Sequence, residues 1–146
     1  MLNDTDDLID WQTFSETRTA LGADFVRILG YFREDGTKSV AAIEEAMRIK
    51  DSVKLVLPAH TLKGESWQFG ATQLAMLAEE IEVAARHYVE IQQDPTDLVE
   101  HVVRLRPIFE QTLTALDKEA SPLIERRPSG LNAAANFGAN AGYGRG

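Results

Sequence analysis

The chain of 146 residues has no cysteine. Disulfides and thiolate metal sites are therefore excluded as ways of holding the fold. No apolar run approaches the ~20 residues that span a bilayer, which argues against a membrane-spanning helix. The first ten residues, MLNDTDDLID, lack the basic start of a secretory signal, so the cytoplasm is the expected location. Internal repeats, alternating strand patterns and glycine-rich phosphate loops are also missing. Cations are scarce: over residues 1–120, 12 Lys and Arg stand against 22 Asp and Glu. A surface this acidic repels phosphate backbones, so nucleic acid is not an expected partner. The Glu-x-x-His pairs of a di-iron bundle are absent too. The residues three before His60, His87 and His101 are Leu57, Ala84 and Leu98.

What is present reads as helix. Asp10 is placed to cap a short first helix that carries Trp11 and Phe14 on one side. Phe25, Leu29, Phe32, Val40, Ile43 and Met47 keep helical phase through Gly36. They predict one long helix over about 21–50, with two helices joined by a turn at Asp35–Gly36 as the rival. Asp51 can cap the next helix, which contains Pro58. That proline either kinks it or restarts it as a first-turn residue. Gly70 is placed to end it. Leu74, Leu77, Ile81, Ala84 and Tyr88 mark a further helix, broken by Asp94–Asp97. Leu98, Val102, Leu105, Phe109, Leu113 and Leu116 mark the last, with Pro107 a candidate kink. Together they predict an all-α protein, an antiparallel up-down four-helix bundle with a short extra N-terminal helix. The bundle would occupy residues 1–120. Residues 121–146, rich in Gly, Ala and Asn, have too few large apolar groups to offset ordering entropy and are expected to form a flexible tail.

One short stretch invites chemistry. In AHTLKGESWQFGA, residues 59–71, a histidine is followed by lysine at three residues and glycine at four. At about 100° per residue, Lys63 lies to one side of His60, Gly64 to the other, and Trp67 close to the same line. Leu62 and Phe69 turn towards a core. Taken singly, each outward residue is an ordinary solvated side chain. Gly64 is the odd member, because glycine inside a helix costs about 1 kcal/mol relative to alanine. It makes sense where another macromolecule must come close to the ring, or where helices pack tightly. The chemistry that fits is attack of a neutral imidazole on phosphorus, with Lys63 offsetting phosphoryl charge.

The string His60-x-Leu62-Lys63-Gly64-x-Ser66-x-x-Phe69-Gly70-Ala71 resembles the histidine-containing phosphotransfer (HPt) domain, and Leu74, Ala78, Ile81 and Glu82 resemble that family's next helix. The likeness covers roughly residues 10–118. It implies a phosphorelay intermediate that accepts and donates a phosphoryl group on a helix-borne histidine, exchanging it with aspartates of response-regulator receiver domains. His60 matches the acceptor, Lys63 the phosphate-neutralising cation and Gly64 the small residue that admits the receiver. Glu82 matches an acidic or amide position that orients the ring or pairs with Lys63. Arg86 matches a second basic group found in some members. The departures are Glu65 in place of a small residue, bulky Trp67 near the docking face, and Pro58. The resemblance implies that this chain binds no ATP and no metal, the Mg²⁺ belonging to the receiver. It implies receiver domains and a hybrid sensor histidine kinase as partners, and a monomer.

Two other readings use the same residues. A sensor-kinase dimerisation domain has an acid directly after its histidine, where this chain has Thr61. A non-catalytic adaptor would bind receiver or kinase domains through the same face without transfer. Arg126 and Arg127 in the tail could fold back on the acidic surface or recruit a partner.

Overall fold

The computed structural model describes residues 8–120. The expectations for residues 121–146, including Arg126 and Arg127, lie outside them. Five α-helices are described in full among these residues: α1 (Trp11–Leu21), α2 (Phe25–Arg48), α3 (Ser52–Gln68), α4 (Thr72–Glu90) and α5 (Val99–Ala120). Single 3₁₀ turns, Gly22–Asp24 and Thr96–Leu98, precede α2 and α5. The described residues contain no strand. None of their helices is long and apolar enough to cross a membrane. By compactness the chain divides into Met1–Ala115, which holds His60, Lys63, Glu82 and Arg86, and Leu116–Gly146, which begins with the end of α5.

The capping residues act as read. Asp10 accepts from the backbone N–H groups of Gln12 and Thr13, and Asp51 from that of Lys54, filling donors that a helix start leaves open. α2 is one unbroken helix, so the rival turn at Asp35–Gly36 does not occur. α3 and α5 also run unbroken through Pro58 and Pro107, and Pro58 does not restart a helix.

Three helices end alike. Lys50, Gly70 and Gln92 take positive φ after α2, α3 and α4. The next N–H in each case reaches back five residues: Asp51 to Ala46, Ala71 to Ser66, Gln93 to Tyr88. Such Schellman closures satisfy the last carbonyls. Gly70 was legible as a terminator. Lys50 and Gln92 carry no glycine to announce them.

α3 packs on both α2 and α4. Arg106 of α5 forms a two-pronged pair with Glu44 of α2, at 2.7 and 3.0 Å. Through the core runs a chain of rings, Phe14, Phe25, Phe69, Phe32 and Phe109, with successive centroids 5.3–6.1 Å apart. Burial corrects the predicted stripes at three points. Ala46 rather than Met47, Ala85 rather than Ala84 and Tyr88, and Thr112 rather than Leu113 face inward. A period of 3.6 drifts across several turns, and small residues fit where helices come close.

Gly36 is one such place. A Cβ there would sit 2.5 Å from a ring carbon of Phe109, whereas a Cβ on Gly30 would meet nothing. Gly36→Ala is therefore expected to lose about 1–3 kcal/mol from overpacking, while Gly30→Ala gains up to about 1 kcal/mol from helix propensity. Urea denaturation of the two variants checks the contrast.

Candidate functional site

The site grows from two helices whose burial is set by their apolar positions. On α3, Leu55, Ala59, Leu62 and Ser66 are buried, which turns His60 outward. Its side chain is 54% exposed. On α4, Leu74, Ala78, Ile81 and Ala85 are buried, and Glu82 goes in with them. Its side chain keeps only 6% of its surface. A carboxylate this deep requires partners.

It has three. His60 Nδ1 lies 2.9 Å from Glu82 Oε2. Arg86, one turn further along α4, donates to the same oxygen through both Nε and Nη2 at 3.0 and 2.8 Å. Lys63 Nζ pairs with the other oxygen, Oε1, at 2.9 Å. Burial alone would raise the pKa of Glu82. The hydrogen bonds from Lys63, Arg86 and His60 outweigh burial and bring its pKa down to about 2. Glu82 is thus a carboxylate at any working pH and can only accept. The His60 nitrogen facing it must carry the proton, which leaves Nε2 as the lone-pair nitrogen of the neutral ring.

The structure therefore brings four of the sequence-derived residues together, His60, Lys63, Glu82 and Arg86, around one buried oxygen pair. Gly64 lies beside them on α3 with open space where a side chain would be. That disposes of tight helix packing as its reason. Trp67 is exposed near the end of α3. His87 is exposed, and His101 sits 3.6 Å from Glu80, away from these residues. No group of three or more metal-ligating side chains converges among the described residues.

Some of the surroundings were not anticipated. A groove of about 710 Å³ opens between α2 and α3, lined by Lys38, Ala42, Ile49, Val53, Leu57 and Thr61 among others. Exposed Val53 and Leu57 were its only sequence signal. Glu82 and Arg86 could also have been paired from their spacing alone, acid four residues before base on one helix.

Residues 27–119 match the family model of the Hpt domain. Among solved structures, the fold matches the crystal structure of histidine-containing phosphotransfer protein B (HptB) from Pseudomonas aeruginosa PAO1. The TM-score is 0.68 at 19% identity, over 79% of this chain and 96% of that one. Curated proteins offer no match. The chain belongs to the Hpt domain family, the phosphotransfer proteins of two-component phosphorelays.

Glu82 gains stability from ionisation, and the sign of its pH dependence follows. Its pKa is lowered from 4.5 to about 2. The contribution is fully present above pH 4.5 and lost as pH falls through about 2. Glu82→Gln should show a shallower fall in melting temperature across that window than the parent protein. Glu82→Ala, which strands Lys63 and Arg86, should cost about 1–3 kcal/mol at neutral pH. Thermal and urea unfolding measure both.

Proposed function

We propose that this chain carries a phosphoryl group on Nε2 of His60 and exchanges it with the aspartate of a response-regulator receiver domain. The observation that carries the reading is the Glu82 contact. It occupies Nδ1 and leaves Nε2 facing solvent, with a cation alongside and a glycine clearing the approach.

The step balances simply. The Nε2 lone pair attacks the phosphorus of a receiver acyl phosphate. A P–N bond forms as the acyl P–O bond breaks, and the receiver's carboxylate leaves with the electron pair. The ring keeps its Nδ1 proton and becomes cationic, and the Glu82 carboxylate lies against that proton to stabilise the charge. Lys63 and Arg86 can turn from Glu82 towards the incoming phosphoryl oxygens, since each is held by a charge pair at the edge of solvent. Transfer back to an aspartate reverses these movements. Mg²⁺ would belong to the receiver, and this chain supplies no ligand set for it in the mechanism.

The remaining features fit this role. The helices α2 to α5 would form an antiparallel up-down bundle, with α1 as the extra N-terminal helix and the Hpt unit ending near residue 120. A receiver domain would dock over Gly64 and Trp67, and a hybrid sensor histidine kinase would be the upstream source of phosphate. A cytoplasmic monomer suits a carrier that meets several partners in turn.

His60→Gln keeps a side chain that can donate to Glu82, so its melting temperature should stay close to that of the parent. Incubated with a phosphorylated receiver, it should accept no phosphate, whereas the parent should become labelled in an acid-labile form. Labelling of the variant would remove His60 from its role. Receiver binding by the parent without any labelling would mark an adaptor instead.

A further inference from the structure

The contact between His60 and Glu82 bears on the ring after it is loaded as well as before. Nδ1 lies 2.9 Å from Oε2 of a buried carboxylate. That carboxylate is held from its other sides, by Lys63 on Oε1 at 2.9 Å and by Arg86 on Oε2 at 2.8 and 3.0 Å. It cannot swing away from the ring without breaking those pairs. A charge pair withdrawn from water is also stronger than one at the surface.

The two directions of transfer make different demands on the Nδ1 proton. To accept, His60 needs a lone pair on Nε2, which the neutral ring offers. To donate, a receiver carboxylate attacks phosphorus, the P–Nε2 bond breaks and its electron pair returns to Nε2. With Nδ1 protonated, the departing ring is a neutral imidazole. With Nδ1 bare, it is an imidazolate anion, a strong base and a poor leaving group. As pH rises, a loaded ring releases this proton to solvent unless a neighbour retains it.

We propose that Glu82 retains the Nδ1 proton on phosphorylated His60, and that this keeps donation running at alkaline pH, where the phosphoryl group would otherwise be trapped on the ring. The inference rests on His60 carrying phosphate and adds a direction to it: Glu82 governs discharge more than loading.

The charges around the ring agree. α3 packs on α1, α2 and α4. The groups acting on Glu82 are Lys63 of the histidine helix itself, Arg86 of α4 and His60, with none from α1 or α2. Lys38 and Glu45 of α2 and Lys54 of α3 line the groove between α2 and α3 instead. The two cations oppose a cationic ring, but they sit on the carboxylate, whereas the carboxylate sits on the ring nitrogen. With its pKa lowered to about 2, Glu82 is an anion throughout the alkaline range.

The test loads the full chain with phosphoramidate and follows the His60 ring by ¹⁵N NMR from pH 6 to 10. In the folded parent the Nδ1 proton of the phosphorylated ring should titrate at least about one pH unit above its value in the urea-unfolded chain, a tenfold difference in proton affinity. Glu82→Gln should bring the folded midpoint down towards the unfolded one. Discharge to an unphosphorylated receiver domain is then timed at pH 9. Glu82→Gln should slow it by about tenfold for each pH unit lost from the midpoint, and should slow loading from phosphoramidate by less. Arg86→Gln removes a cation and keeps the carboxylate, so its midpoint should match or exceed the parent's. Equal midpoints in the folded and unfolded parent would overturn the proposal. So would equal losses of loading and discharge in Glu82→Gln, or a midpoint lowered as far by Arg86→Gln. A parent that forms no phosphohistidine would overturn the carrier reading itself, and this inference with it.

Discussion

A single buried carboxylate organises the functional end of this protein. Glu82 is drawn into the α3–α4 interface by the apolar residues around it on α4. Once there, it must be surrounded by donors or it would destabilise the helix that carries it. His60, Lys63 and Arg86 answer that requirement. The same contacts settle which imidazole nitrogen holds a proton and where the nearest positive charges rest. The geometry of the surface around His60 is thus a by-product of satisfying one group beneath it.

The two acids on either side of the histidine helix show how far environment outweighs residue type. Glu82 faces two cations and the ring N–H of His60 and stays ionised at any ordinary pH. Burial and the negative charge of Asp35 push Glu65 the other way, up to about 7. Both are partly or wholly withdrawn from water, so burial acts on both in the same direction. The sign of the neighbouring charge decides the outcome.

Much of this was legible in the residues. Helix starts at Asp10 and Asp51, the stop at Gly70 and the outward turn of His60, Lys63 and Gly64 all follow from capping chemistry and a 3.6-residue period. The four-residue spacing of Glu82 and Arg86 ties them to each other, but their link to the site came from the family likeness, because no local rule ties Glu82 to a histidine 22 positions earlier. The inward faces of Ala46, Ala85 and Thr112 were misjudged for a related reason. Periodicity weighs apolar size, while the packed interface selects for fit.

The ring chain through the core bears on where the domain begins. The match to the family model starts at residue 27 rather than near residue 10, yet Phe14 and Phe25 lie before it and stack in series against Phe69. The backbone N–H of Asp10 donates to the carbonyl of Gly70 at 2.7 Å, and the Thr17 hydroxyl to that of Gln68 at 2.6 Å. The leading segment therefore seals the bottom of the histidine helix. Trimming the protein to its recognisable portion would strip two aromatic plugs, bare part of Phe69 to water, take the Thr17 donor from Gln68 and leave the Gly70 carbonyl with the Thr72 N–H alone. Homology marks out the shared part of the molecule, and the hydrophobic interior extends past it.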